Sequence, residues 1–408
     1  MKILIVTTRV PYPPFKGDKL KVYNIAKNLA RNNSVHVLCI YRKKSELKDL
    51  DNIRALGAEV DAVHHSILSS ILNTTLFIFN KTPIQVLLYK SRNLSVRLSE
   101  IVNRESPDVV YFHLIRSAQY VDAVPRGSGS LRVLDFTDAV SLYLSRFAEA
   151  ERNLFIRLGV EFERHRISDY ETIAREFDSC FICADTDKTH LLKKGITTKI
   201  GILPNGVDTK LFSRSPQSVD AERIIFTGNM PYFPNEDAAV YFAREVMPLI
   251  WKSRPSAKFY IVGRKPTRRI KALASKNIFV TGFVENITEE YLKSAVAVAP
   301  MRFGVGTLNK VIEAIVLGVP VVATSIATKG LPAEAQAFVQ VADTPGEFAQ
   351  KITQILDGRR EGSSKLQQKD FDAVRRMLSW DSIVDRFAGD LEALLNERGQ
   401  TSRNRNGD

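Results

Sequence analysis

Three cysteines in 408 residues are too few for a disulfide framework. Cys39, Cys180 and Cys183 each sit in a strand-like apolar run, so they read as core residues of a reducing compartment. The Cys180-Phe-Ile-Cys183 spacing imitates a redox or zinc pair, but no second pair or histidine cluster completes it. Long apolar runs are missing too. The longest, Ile67 to Phe79, is broken by Ser69, Ser70, Asn73, Thr74 and Thr75 and is too short and polar to span a bilayer. Met1-Lys2 leads straight into Ile-Leu-Ile-Val without a small-residue cleavage site, which predicts a cytoplasmic protein. The turn from Thr8 to Asp18 has no Gly-x-Gly-x-x-Gly fingerprint, which argues against a nicotinamide dehydrogenase. A convincing Asp-x-Asp metal loop is also lacking. Asp185-Thr-Asp187 follows a strand at a helix start, where acidic side chains favour the dipole.

What the chain does have is length, alternation and positive charge. A core for 408 residues suits two domains, and 44% hydrophobic with 25% charged residues fits a globular protein. Thirteen strand candidates alternate with helical periodicity: 3–7, 35–40, 60–64, 109–112, 132–136, 179–184 and 200–203, then 224–227, 259–262, 278–280, 296–299, 319–323 and 338–341. Most are continuous apolar runs, as expected of parallel strands covered on both faces. The helix predicted over Asp18 to Ala30 places Val22, Ile25, Ala26, Leu29 and Ala30 on one face behind an Asp18 cap. The fold class that follows is α/β, with two doubly wound parallel-sheet domains.

Their seam is expected near Pro204-Asn205-Gly206-Val207-Asp208 and the polar 213–220 segment. The division is 1–203 for the first domain and 204–379 for the second, with a helix over 380–397 and a disordered tail over 398–408. Ligands of such folds lie outside the carboxyl ends of the strands, so two facing domains would enclose a cleft.

The most informative stretch is 299–324. An apolar strand runs into a turn with Gly304 and Gly306, where backbone can approach a ligand, and a helix opens near Thr307 with free N–H groups aimed at the turn. Glu313 follows about two turns in, placed to accept a sugar hydroxyl from a ligand whose phosphates sit at the helix start. Tight helix–strand packing produces the same Gly-x-Gly pattern, so the turn acquires meaning only with its surroundings.

Those surroundings resemble a family. Gly304 to Glu313, Asn205-Gly206-Val207-Asp208 and Val262-Gly263-Arg264 resemble the second domain of GT-B glycosyltransferases, in the large retaining family that includes sucrose synthase and bacterial mannosyl- and glucosyltransferases. The first turn and Gly228 to Ala238 look closest to sugar transferases of exosortase (PEP-CTERM) exopolysaccharide systems. The resemblance implies two Rossmann-like domains facing across a cleft, and a nucleotide-diphosphate sugar as donor. It places Glu313 on the donor ribose and Gly304, Val305, Gly306, Thr307 and Leu308 beneath the phosphates and sugar. Gly282 and Val284 fall where the base meets main-chain groups. His113 matches a histidine that meets the transferred sugar, although as a residue it also reads as a satisfied strand-end histidine. Asp138 lies at the same edge, where a helix cap explains it equally well. Arg9, Lys16 and Gly17 form the acceptor-side loop.

Two departures stand out. Val305 occupies the position of a family glutamate that contacts the donor sugar. The usual Arg and Lys after the first strand of the second domain are replaced by Gly228-Asn229, with no basic residue until Arg244. Lys310 and Arg264 are the leading substitutes, with Arg302, Arg9 and Lys16 behind them. The expected reaction is transfer with retention to a glycan or lipid-linked acceptor, without an obligatory metal or other cofactor. An epimerase of the same fold, or a non-catalytic nucleotide-sugar-binding protein, are the alternatives.

The net charge of +13 asks for an anionic partner. Lys and Arg are scattered and no nucleic-acid module is present, so nucleic acid is not expected. The anionic cytoplasmic face of the inner membrane fits. Leu68 to Leu98 mixes Ile, Leu and Phe with Lys81, Lys90, Arg92 and Arg97, a pattern that also suits a helix packed on its own sheet.

Overall fold

The computed structural model describes residues 1–75, 81–151, 153–210, 218–303, 308–360 and 368–405. All thirteen expected strands are present, because a continuous apolar run is stable only where both faces are covered. The chain divides into two compact units: Met1–Pro204 with Trp380–Asp408, and Asn205–Ser379.

Unit 1 holds β1 (Lys2–Thr7), β2 (Ser34–Tyr41), β3 (Glu59–His64), β4 (Val109–His113), β5 (Leu131–Thr137), β6 (Ser179–Ile182) and β7 (Ile200–Ile202). They form one parallel sheet in the order β3-β2-β1-β4-β5-β6-β7. The order reverses between β1 and β4, and at such a switch point the carboxyl ends diverge and leave room for a ligand. One sheet face packs on α1 (Gly17–Leu29) through Val22, Ile25, Ala26 and Leu29. Trp380, Ile383, Phe387 and Leu391, from the helix Trp380–Arg405, join the same core.

That last helix corrects the expectation of a disordered tail from Arg398. It continues to Arg405, and Arg398 donates to the Ser130 carbonyl at 2.8 Å. The Asp18 cap is corrected as well. Lys16 occupies the cap without a side-chain bond, and Asp18 lies inside the first turn, where two arginines claim its carboxylate.

Unit 2 holds β8 (Asp220–Thr227), β9 (Lys258–Val262), β10 (Ile278–Gly282), β11 (Ser294–Ala299), β12 (Val321–Ala323) and β13 (Val339–Val341). The parallel order is β10-β9-β8-β11-β12-β13, with its switch point between β8 and β11. The ends of β8 and β9 nearly touch. A Cβ on Gly263 would stand 1.8 Å from the Gly228 carbonyl oxygen, so only glycine fits there. Cys39, Cys180 and Cys183 are buried and form no disulfide, in keeping with core packing.

Candidate functional site

Both candidate constellations lie at carboxyl edges of the sheets, each within its own unit. In unit 2 the edge collects Gly228 after β8, Gly263 and Arg264 after β9, Gly282 to Val284 at the end of β10, and Met301 to Phe303 beyond β11. The helix Asn309–Val316 follows, preceded by Leu308 in extended conformation. Gly304, Val305, Gly306 and Thr307 lie outside the described residues. Helix geometry puts Lys310 and Glu313 on one face, one turn apart. Glu313 is therefore just over one turn into the helix, closer to its start than the sequence spacing suggested.

Glu313 is half-buried and accepts a hydrogen bond from Tyr291 Oη at 3.1 Å. Tyr291 is itself 2.6 Å from the Thr227 hydroxyl at the end of β8. Burial pushes the Glu313 carboxyl up to about 7, although Tyr291 and Lys310 pull the other way. Among the described residues it has no other hydrogen bond, so accepting capacity remains for a ligand hydroxyl.

Lys310 shows the complementary behaviour. Its Nζ donates to Asn235 Oδ1 at 2.6 Å and lies 4.2 Å from the centroid of the Phe226 ring. Burial pulls its ammonium down to about 7, and Glu313 offsets part of that. A cation with neutral partners in an apolar setting gains most from an arriving anion.

The other candidates are engaged differently. Arg302 is taken by Asp237, with Nε donating at 2.8 Å, and its guanidinium lies 5.2 Å from the Tyr241 ring centroid. Arg264 lies over the exposed Phe283 ring at 5.5 Å. Gly282 has a φ of 76°, a left-handed value that glycine adopts freely. Val284 packs against the unit's core.

In unit 1, His113 ends β4 and is 1% exposed. Its Nε2 lies 2.9 Å from the Asp18 carbonyl oxygen, and its Nδ1, 3.5 Å from Asp135, has no hydrogen-bond partner among the described residues. The ring thus ties the end of β4 to the start of α1. Asp138 is not the helix cap that its position allowed. Asp187 accepts from the Ala139 N–H ahead of the helix Val140–Ala150, while Asp138 follows Thr137, held at a φ of 63°. Burial, and then the neighbouring Asp187, push the Asp138 carboxyl up to about 7. Lys16 and Gly17 are exposed at the start of α1, whereas Arg9 is ion-paired with Asp18 at 2.8 Å.

Sequence reasoning missed the centre of this edge. Lys21 and Asp135 are fully buried and 3.0 Å apart, with Tyr111 Oη donating to the same carboxylate at 2.5 Å. Lys21 also reaches the Leu203 carbonyl at 2.9 Å and Cys183 Sγ at 3.3 Å. The signal was present in pattern: Lys21 falls on the same stripe of α1 as Ile25, and Asp135 interrupts an apolar strand.

Two units of parallel sheet with ligand edges at their switch points define the GT-B architecture, and solved structures share it. HepE from Anabaena in complex with UDP-glucose aligns over 96% of this chain and 100% of that one, at 13% identity and a TM-score of 0.65. Sucrose-phosphate synthase from Thermosynechococcus elongatus aligns over 97% and 100%, at 14% identity and 0.68. TarM from S. aureus, in complex with fondaparinux, alpha-GlcNAc-glycerol and UDP, aligns over 97% and 100%, at 11% identity and 0.66. No curated protein matches the chain. Residues 221–358, most of unit 2, match the family model described as glycosyl transferases group 1. The chain accordingly has the GT-B architecture, and its second unit resembles the glycosyl transferases group 1.

Proposed function

We propose that the protein transfers a sugar from a nucleotide-diphosphate sugar, with retention at the anomeric carbon, to a glycan or lipid-linked acceptor in exopolysaccharide assembly. The observation that carries this reading is the Lys310–Glu313 pair on one helix face at the switch-point edge of unit 2. Glu313 accepts hydroxyls of the donor ribose, and Lys310 faces the diphosphate. Arg264 and the backbone at Gly282 and Val284 lie on the base side of the same edge. The fold's likeness to a protein solved with UDP-glucose supports this choice of donor. The departing diphosphate takes the acceptor's proton, so the reading needs no protein nucleophile. With Lys310 beside it, protein cations rather than a metal meet the developing charge. His113 and Asp138 are the acceptor-side candidates in unit 1. Epimerisation would need acid and base carboxylates around the sugar, and the side chain at 305 is valine.

Screening nucleotide sugars for binding, then following product masses with lipid-linked acceptors, tests the proposal. Transfer products support it. An epimerised donor without transfer, or binding without turnover, would replace it with one of the alternatives.

A sharper check concerns Lys310. Free in the protein, its ammonium is mostly neutral at pH 8, because burial has lowered it to about 7. A bound diphosphate raises it again, so binding at pH 8 will take up a proton. Calorimetry in buffers of different ionisation enthalpy reads that uptake directly. Lys310→Met should abolish it, and wild-type binding without uptake would remove Lys310 from the phosphate site.

The inner-membrane surface belongs to the same proposal. No helix among the described residues is long and apolar enough to cross a membrane. Ile67, Leu68, Ile71 and Leu72 on the helix Ile67–Thr74 are each more than half exposed. Residues 76–80 of the predicted basic-apolar stretch lie outside the described residues. Flotation with phosphatidylglycerol vesicles should recover the wild type and lose Leu68→Ser/Leu72→Ser. Equal recovery of both proteins would put the contact elsewhere, and failure of the wild type to float would end the assignment.

A further inference from the structure

Beyond the donor edge, the first unit gathers an excess of positive charge at one point. Three neighbouring strands of its sheet, β2, β1 and β4, are each followed by an arginine: Arg42, Arg9 and Arg116. All three converge on one side chain. Their guanidinium carbons lie 4.9, 5.6 and 4.8 Å from the centroid of the Tyr89 ring. Tyr89 is 5% exposed, and its hydroxyl accepts from Arg9 Nε at 2.9 Å.

The counter-charge is too small for this cluster. Asp18 alone serves Arg9 and Arg116, each at 2.8 Å, and those two arginines hold its carboxyl down to about 2 although burial opposes this. Arg116 also donates to the Thr8 hydroxyl at 2.6 Å. Arg42 has no carboxylate partner among the described residues. Its only side-chain contacts of this kind are long ones, 3.4 Å to Ser70 Oγ and 3.4 Å to the Leu88 carbonyl. Glu46, the nearest acid in sequence, accepts the Arg42 and Lys43 backbone N–H groups instead. Lys19 adds a fourth cation, its Nζ on the Tyr12 carbonyl.

Like charges held this close repel, and one ring with one carboxylate does not neutralise them. Guanidinium forks match phosphoryl oxygens in shape and charge, and the strand ends fix these three before any ligand arrives. The proposed function already assigns the donor's phosphates to Lys310 in unit 2. We propose that Arg9, Arg42 and Arg116 form an anion subsite that takes a phosphoryl group of the acceptor. This rests on the reading of unit 1 as the acceptor side. Of the three, only Arg9 belonged to the expected acceptor loop. Arg42 and Arg116 join it because β2 and β4 flank β1.

The test uses the full chain and two probes, inorganic phosphate and farnesyl phosphate in detergent, titrated calorimetrically. Arg42→Gln should weaken the Arg42-dependent binding roughly tenfold or more, and Arg42→Lys should keep part of it. Arg42 is half-buried and not tied to a carboxylate, so both variants should fold, which circular dichroism checks. Tighter binding of farnesyl phosphate assigns a lipid-linked acceptor. Equal affinity assigns a soluble phosphorylated one, and both results support the subsite. Phosphate binding that is the same in wild type and Arg42→Gln overturns it. The donor reading is scored separately, through the loss of nucleoside diphosphate binding in Glu313→Gln. If that loss occurs while Arg42→Gln changes nothing, the subsite fails and the donor reading stands. If phosphate binding needs Arg42 but no nucleotide binds, the reverse holds.

Discussion

Lys21→Met will destabilise the protein by about 3 to 5 kcal/mol, the usual result of removing one partner from a fully buried ion pair. The substitution keeps the length and apolar stem of the side chain, so the loss comes from charge rather than from a cavity. It leaves the Asp135 carboxylate at 0% exposure, with Tyr111 and Thr137 donating to it and His113 Nδ1 3.5 Å away. It also frees the Leu203 carbonyl, which Lys21 bonds at the end of the last strand segment of unit 1. Burial alone would raise the Asp135 carboxyl, but Lys21 and His113 hold it well below the ordinary carboxylate range. A depressed carboxylate stabilises the fold above its unfolded pKa and loses that contribution as pH falls through the folded one. The wild type will therefore keep this contribution at neutral pH and lose it only in strong acid. Urea unfolding at pH 7 and under acid conditions measures both. In the double variant Lys21→Met/Asp135→Leu much of the stability should return, because no charge is left unpaired. A loss below about 1 kcal/mol for Lys21→Met would show that water reaches Asp135 and that the pair is not the anchor of this edge.

Glu313→Gln will weaken nucleoside diphosphate binding by roughly tenfold to a hundredfold, equivalent to about 1.5 to 3 kcal/mol for hydrogen bonds to a charged group. Stability will move the other way. The folded carboxyl is raised to about 7, so the ionised form is disfavoured in the native state. Stability is thus highest below the unfolded carboxylate pKa and declines as pH rises through about 7. The amide removes that decline, and Glu313→Gln should be at least as stable as the wild type at pH 8. Weaker ligand binding with undiminished stability separates a binding role from a packing one. A variant that unfolds more easily and binds nucleotide normally would refute the assignment to the ribose.

The local code of this chain was readable where a residue's neighbours in sequence decide its fate. Continuous apolar runs between helical periodicities mark all thirteen strands, because a strand covered on both faces needs no partner identity to be recognised. That Glu313 falls on a helix was legible for the same reason, but it lies just over one turn in rather than about two, because the helix opens at Asn309 and not near Thr307. Tertiary structure alone decided which charges meet. Asp18 carries a cap signature in sequence but belongs to Arg9 and Arg116, because strand order places β1 beside β4 across 98 residues of chain between Asp18 and Arg116. Tyr291 gives no sign in sequence of holding Glu313, and Asp187 and Glu171 rather than Asp138 accept the N–H groups of Ala139 and Ser141 at the start of the helix Val140–Ala150. Lys21 lies on the apolar stripe of α1 and Asp135 interrupts an apolar strand, and only their approach in space makes either one tolerable there. Periodicity is a property of neighbouring residues and survives in the sequence. Pairing of polar groups depends on sheet order, and a single chain does not write that order down.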